Sequence, residues 1–306
     1  MRREIIIHML TWRIRDIINE LPNITTQGFT AIQISPIQPT KDNGYEWWKL
    51  YQPLDFTIGN SQIGTKADLI ELCTKANLLG IKIIVDVVLR HTAGKDTGEL
   101  YPHNNVNPII LNNKSFWGEF RNISDHNNRW ENNNLCEGVP VLNYNNEDLQ
   151  NIYLSFLNDL VDCGVTGFRI DMGKHFSLPC EGGTFWTRVI KPFIDKGLYI
   201  YSECIDLNDY FLKEYMKYTN VITNYYKSID ESKEVRYIES HDTNLSFHDT
   251  ESMSDDDLVN GWEELSKGGN YSVLFFCRLW SNLWKDSRIK DINLTYRNNG
   301  FDNKCA

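Results

Sequence analysis

The chain has 306 residues, 41% hydrophobic and 24% charged, enough for a large buried core and unlike either a disordered segment or a small disulfide scaffold. Its 31 basic and 41 acidic residues give a net charge of −10, so a phosphate backbone meets repulsion and nucleic acid is excluded as the leading partner. No run reaches the roughly eighteen apolar residues of a membrane span, which argues against a membrane partner as well.

Residues 4–10 (EIIIHML) are a short apolar, β-rich run and predict a buried strand; the run is too short for a leader's apolar core. Ile14, Ile17, Ile18 and Leu21 recur at helical spacing and predict a helix over 13–27, broken by Gly28. A second buried strand, TAIQIS at 30–35, stops at Pro36. A polar, aromatic loop leads to a helix over 65–79, carried by Leu69, Ile70, Leu72, Cys73 and Ala76 and capped at Gly80. IKIIVDVV at 81–88 is the most apolar strand. Strands alternating with helices at this spacing predict βα units and a parallel sheet.

The rhythm stops over 91–140, which is polar and rich in Asn (Asn104, Asn105, Asn112, Asn113, Asn132, Asn133, Asn134). An insertion of this length in a compact domain is often functional. The rhythm resumes with a helix over 147–163, a strand at 167–172 (GFRIDM), a helix over 184–196 and a strand at 198–203 (LYIYSE). A short helix over 207–217, a weak strand near 220–223, a strand at 235–239, a helix over 257–267 and a strand at 272–277 (SVLFFC) complete the series. Eight strands are the number a (β/α)8 TIM barrel needs. The expected organisation is therefore an α/β barrel in two parts, 1–90 and 141–306, with an irregular inserted subdomain at 91–140 after the third strand. The residues after the eighth strand predict no further domain.

Aromatic residues make up 12% of the chain, with nine Trp and fifteen Tyr; planar side chains serve a core and a sugar platform alike. The seven cysteines (Cys73, Cys136, Cys163, Cys180, Cys204, Cys277, Cys305) are odd in number and have no close CxxC spacing. That argues against a zinc site and a disulfide framework, and fits a reducing compartment. With no leader read at the N-terminus, the expected location is the cytoplasm, although a chain trimmed of its leader would look identical. The acid cluster Asp255, Asp256 and Asp257 reads as solubility.

Several apolar strands end in polar residues: Asp86 in the third, Arg169 and Asp171 in the fourth, Glu203 in the fifth, and His241 with Asp242 after the seventh. In a barrel those ends open onto one face, where active sites are built. Arg169 and Asp171 are two apart, so they point the same way, and a buried carboxylate needs such a partner. Any one acid reads equally as a structural ion pair. Several on separate strands of one rim suggest glycoside hydrolysis, which uses a nucleophile and an acid/base.

These segments resemble the α-amylase family of glycoside hydrolases (family 13) along essentially the whole chain. DVVLRH (86–91), VPVLN (139–143), GFRIDMGKH (167–175), YSEC (201–204) and IESHD (238–242) resemble its five signatures in order. IQISPIQP (32–39), YQPLDFTIGN (51–60) and MSDDDLVNGW (253–262) look closest to bacterial enzymes of the subtilis type. The resemblance implies Asp171 as nucleophile, Glu203 as general acid/base and Asp242 as the residue that binds and distorts the reacting sugar. It further implies that Arg169 holds Asp171 ionised and that His91 and His241 bond sugar hydroxyls. Lys174 and His175 would line the leaving-group side, and Tyr51 would be the aromatic platform, with Trp47 or Trp48 nearby. Each His has an alternative as a structural histidine, and Asp86 reads as structural.

Three departures stand out. Where the family's first signature carries an Asn that ligates a structural calcium, this chain has Arg90. A guanidinium repels a cation, so no metal or other cofactor is expected; Arg90 would instead cross-link the barrel to the insertion through Glu131 or Asp125, or point to solvent. Glu203 and Asp242 lie too close in sequence for a helix, a strand and another helix, so the barrel is expected to be trimmed there. The family's C-terminal β-sandwich is expected to be missing from this stretch of chain, whether by nature or by truncation. The resemblance thus implies a monomeric enzyme that cleaves internal α-1,4-glucosidic bonds of starch, glycogen or maltooligosaccharides with retention. A glucanotransferase using the same intermediate and a non-catalytic α-glucan-binding barrel are the alternatives.

Overall fold

The computed structural model describes residues 3–41, 46–96, 98–224, 229–279 and 281–301; Cys305 lies outside them. Eight parallel strands close into a barrel: β1 (Ile5–Met9), β2 (Ala31–Ile34), β3 (Lys82–Val87), β4 (Gly167–Ile170), β5 (Tyr199–Glu203), β6 (Asn220–Ile222), β7 (Glu234–Tyr237) and β8 (Ser272–Phe276). Each pairs with its sequence neighbours, and β8 closes on β1 with Ile7 opposite Phe275. All eight expected strands form, each a residue or more shorter than the apolar run that predicts it. Side chains alternate along each strand. One set fills the barrel interior around Ile6, Ala31, Ile84, Leu274 and Tyr201. The other packs outward against the helices in a larger core.

Those helices are α1 (Ile14–Thr26), α2 (Lys66–Leu78), α3 (Glu147–Asp162), α4 (Lys191–Asp195), α5 (Asp209–Met216), α6 (Asp255–Ser266) and α7 (Ser287–Phe301). The expected helix over 184–196 is split. A π-helical turn over Trp186–Ile190 precedes α4, beside Pro192, whose missing N–H breaks the regular ladder. The acid cluster is more than a soluble patch. Asp255, Asp256 and Asp257 form the first turn of α6, where the helix dipole favours them, and Asp257 closes a capping box with Ser254.

Helix α7 was not anticipated. Asn293 is fully buried in the midst of its inward face, together with Ile289 and Tyr296. Its amide accepts from Trp262 Nε1 at 2.9 Å and donates to the Gln27 carbonyl at 2.8 Å. A polar residue in the stripe hides the apolar period.

The insertion is less featureless than its composition suggests. It holds short helical turns at Pro108–Leu111, Lys114–Phe116 and Arg129–Asn134, and two paired strands, Glu119–Asn122 and Leu135–Cys136. On the opposite side, β6 and β7 are joined, among the described residues, by a 3-10 turn at Glu231–Lys233 in place of a helix.

Candidate active site

Toward the C-terminal end the inner face of the barrel turns polar. Beyond Ile6, Ala31 and Ile84, two residues on and facing the same way, stand His8, Gln33 and Asp86. On β4 the series runs Gly167, Arg169, Asp171, and on β5 it runs Tyr199, Tyr201, Glu203.

Arg169 is the hub of this layer. Its Nη1 lies 3.0 and 3.2 Å from the two oxygens of Asp86 and 2.6 Å from Asp171 Oδ1, and its Nη2 lies 3.0 Å from Glu203 Oε1. Asp86 Oδ2 also accepts from the Tyr51 hydroxyl at 2.7 Å and from Gln33 Nε2 at 3.3 Å. Tyr201 donates to Gln33 Oε1. One guanidinium thus serves three carboxylates. Burial drives the Asp171 pKa well above its usual value, and Glu203 and Asp86 add to the rise against the pull of Arg169. Burial raises Asp86 likewise. The guanidinium orients the Asp171 carboxylate and pulls its pKa down, but shared three ways it does not offset burial.

The backbone brings the two central acids together. Strand β4 ends at Ile170, Asp171 N donates to the Val87 carbonyl at 3.1 Å, and Met172 turns left-handed with φ 51°. That turn aims the Met172 N–H at Glu203 Oε2, 2.9 Å away. The next residue has to be glycine, because a Cβ on Gly173 would stand 2.7 Å from Ser202 Cβ and 2.9 Å from the Glu203 carbonyl oxygen.

Asp242 opens a π-helical turn, Asp242–Ser246, beyond β7. Its Oδ1 accepts from Ser246 Oγ at 3.2 Å and its Oδ2 lies 3.4 Å from His241 Nε2; burial raises its pKa. Burial, helped by Arg169, lowers the His241 pKa to about 4, so the ring is neutral at pH 7. His241 lies parallel to Tyr51 at 5.4 Å and meets Trp47 and His8 edge-on at 5.3 and 5.2 Å.

A cavity of about 450 Å³ opens at this end of the barrel, within the usual range for small-molecule sites. Glu203, Asp242, Arg169, Lys174, His175 and His241 line it. Asp171 stands outside the lining, bonded to Arg169, with its side chain 8% exposed. Tyr51 also forms a wall behind the lining, its hydroxyl on Asp86 and its ring against His241. His91 donates from Nε2 to the Tyr51 carbonyl at 2.8 Å and so fixes that residue's backbone; burial lowers its pKa to about 4. Trp48 sits under the Lys49 ammonium, 5.7 Å from its ring centroid, and the tryptophan that touches the rings of the site is Trp47.

The model of the α-amylase catalytic domain matches residues 13–184, more than half of the chain. The chain belongs to the α-amylase family. An α-amylase of Clostridium acetobutylicum is 30% identical over 94% of the chain, which spans 43% of that protein's length. An α-amylase of Thermomonospora curvata is 32% identical over 56% of the chain and 31% of its own length. Among solved structures, an Anoxybacillus α-amylase superposes with a TM-score of 0.77 at 17% identity, covering 96% of this chain and 78% of the other. A γ-CGTase from alkalophilic Bacillus clarkii gives 0.77 at 14%, covering 96% and 56%. At those identities the likeness is one of fold.

Within this α-amylase-family barrel, several residues of the site went unread in the sequence. His8, Gln33 and Tyr201 line the cavity floor. Their signal was the one that singled out the acids: a polar side chain two residues along from an apolar one on the inner face. Among the described residues His8 Nε2 has no partner. Glu137, Asp206, Asn224, Phe247 and Asp249 add to the lining from loops, where no periodicity marks them.

Arg90 takes up the question of the family's calcium. The guanidinium is 1% exposed and donates to the carbonyls of His175 (3.1 Å), Leu135 (3.2 Å), Asn132 (3.3 Å) and Leu142 (3.4 Å), with Tyr144 beside it. The link between barrel and insertion is there, but its acceptors are backbone oxygens. Glu131 instead bonds Ser124 and the Asp125 N–H. A calcium ion does not fit among these residues, since the carbonyl oxygens already face a fixed cation. Arg129 adds a second link, to Glu181 at 2.8 and 2.9 Å and to the Lys174 carbonyl at 2.7 Å.

Proposed function

We propose that the chain hydrolyses internal α-1,4-glucosidic bonds of starch, glycogen or maltooligosaccharides with retention of configuration. The observation that carries this reading is the pair Asp171 and Glu203 on a single guanidinium at the barrel mouth, with Glu203 and Asp242 lining one cavity and Asp171 just behind it. Two buried carboxylates, Asp86 and Asp171, and the part-exposed Glu203 against one cation favour keeping a proton in the cluster. Glu203, its side chain 19% exposed, is the member that meets the leaving oxygen. It donates that proton to the glycosidic oxygen as Asp171 attacks the anomeric carbon, and the C–O bond breaks to give a glycosyl ester and a shortened glucan. Glu203, now ionised, takes a proton from water, whose oxygen attacks the anomeric carbon and frees Asp171. Asp242 binds the hydroxyls of the reacting ring and favours its flattened form. Lys174 as a donor, neutral His241, and His175, whose Nδ1–H is spent on the Asn132 carbonyl at 2.9 Å so that Nε2 is left to accept, supply polar contacts along the glucan. Arg90 takes the place of a structural calcium, so the reaction needs no metal, and the chain acts as a monomer.

Product analysis on maltoheptaose and soluble starch tests this. Short maltooligosaccharides are expected from the wild type, with Glu203→Gln and Asp171→Asn each reducing kcat by at least about 10²–10⁴-fold. Longer products from the same incubation would assign the chain to glucan transfer. Glucan binding without products would assign it to a binding role.

A further inference from the structure

Asp242 has to stand within a fraction of an ångström of its working position, yet its own contacts are slight. Among the described residues its carboxylate meets only Ser246 Oγ at 3.2 Å and His241 at 3.4 Å, and the side chain is 31% exposed. Its place is therefore set by the backbone of the loop that carries it.

That loop is wrapped around a second ion pair. Arg278, just past β8, holds Glu239 with Nε at 2.8 and 3.0 Å from the two carboxylate oxygens and Nη2 at 2.7 Å. The same guanidinium donates to the Thr250 carbonyl at 2.7 Å and, through Nη1, to the Met253 carbonyl at 2.9 Å. Glu239 Oε1 also accepts from Asn244 Nδ2 and Thr250 Oγ1, both at 2.8 Å. Residues on both sides of Asp242 thus converge on one carboxylate–guanidinium fork, and Glu239 is 4% exposed. The turn is closed again by Ser240 and Thr243, which bond each other's N–H groups at 2.9 and 3.2 Å. Neither Glu239 nor Arg278 lines the cavity.

We propose that the Glu239–Arg278 pair is the positioning device for Asp242, fastening the β7 loop to the end of β8 so that the carboxylate is presented to the reacting sugar. The inference rests on the role given to Asp242 above. A planar fork suits the task, since it fixes direction as well as distance. Arg278→Lys keeps the charge and loses the fork; Glu239→Gln keeps the shape and loses the charge.

The test is a double-mutant cycle on maltoheptaose, pairing each of these substitutions with Asp242→Asn, alongside thermal unfolding of every variant. Either single change is expected to reduce kcat by about 10- to 100-fold while KM moves less than about threefold. In the Asp242→Asn background the same change should cost almost nothing further, because the residue being positioned is gone. Losses that simply multiply, with Asp242→Asn itself damaging kcat, would overturn the positioning role and leave the role of Asp242 standing. An Asp242→Asn variant with full kcat would overturn both. Should one substitution prevent folding, the other completes the cycle.

Discussion

At the residue scale, the site is built by a few side chains that break an apolar pattern. Asp86, Arg169, Asp171 and Glu203 were legible because each interrupts or ends a run rich in aliphatic and aromatic side chains. His8 and Gln33 interrupt β1 and β2 in the same way and were equally legible in principle. Phe247 and Asp249 were not, since they lie on a loop whose path depends on Glu239 and Arg278, distant in sequence. The placement of Asp171 beside Glu203 depends on a residue with no side chain. Gly173→Ala would set a Cβ 2.7 Å from Ser202 Cβ and 2.9 Å from the Glu203 carbonyl, pushing the β4 and β5 ends apart. The expected outcome is a kcat reduced by about 10²-fold with secondary structure intact by circular dichroism. Unchanged kinetics would mean the acids tolerate that displacement.

At the scale of elements, the insertion is joined to the barrel by two arginines, the buried Arg90 and the half-buried Arg129. The periodicity of residues 91–140 gave no hint of its short helices and strands, because Asn caps and backbone hydrogen bonds order them more than an apolar face does. Asn107, Asn113 and Asn128 each cap a turn with the side chain. Arg90 was legible as a departure from the family pattern, but its partners were not, since backbone carbonyls leave no trace in sequence. Removing its guanidinium by Arg90→Met leaves four carbonyls facing a buried gap and should lower the unfolding free energy by about 3 kcal/mol. The wild type should melt at the same temperature with EDTA, with added calcium or with neither. A melting temperature that drops with EDTA and recovers with calcium would refute the guanidinium's replacement of the metal.

At the scale of the molecule, the barrel was readable strand by strand because its inner and outer faces are both apolar and each run is short and bounded. Helix α7 escaped because Asn293 breaks its stripe, and the split before α4 because Pro192 acts on the turn that precedes it. Burying four imidazoles in this barrel has a cost that depends on pH. His8, His91, His175 and His241 all have pKa values below the ordinary 6.5, with burial the main cause, and the values for His91 and His241 are about 4. Between pH 6.5 and about 4 the unfolded chain binds protons there that the folded chain does not. The histidine contribution is therefore complete above pH 6.5 and falls as the pH drops. The raised carboxylates Asp86 and Asp171 act in the opposite sense, so the histidine share is best isolated by difference. In urea unfolding, the stability advantage of wild type over His91→Gln should shrink by about 2 kcal/mol between pH 7.5 and 5. A difference that does not vary with pH would mean His91 is not held neutral.

Asp171 and Glu203 are proposed to act as nucleophile and acid/base of a double displacement. That assignment is tested most directly by following the anomeric proton of the new reducing end by NMR during the first minutes of maltoheptaose cleavage. The α-anomer is expected first, with the β-anomer growing in only by mutarotation. Initial release of the β-anomer would contradict the assignment, since inversion requires the two carboxylates to act across an intervening water.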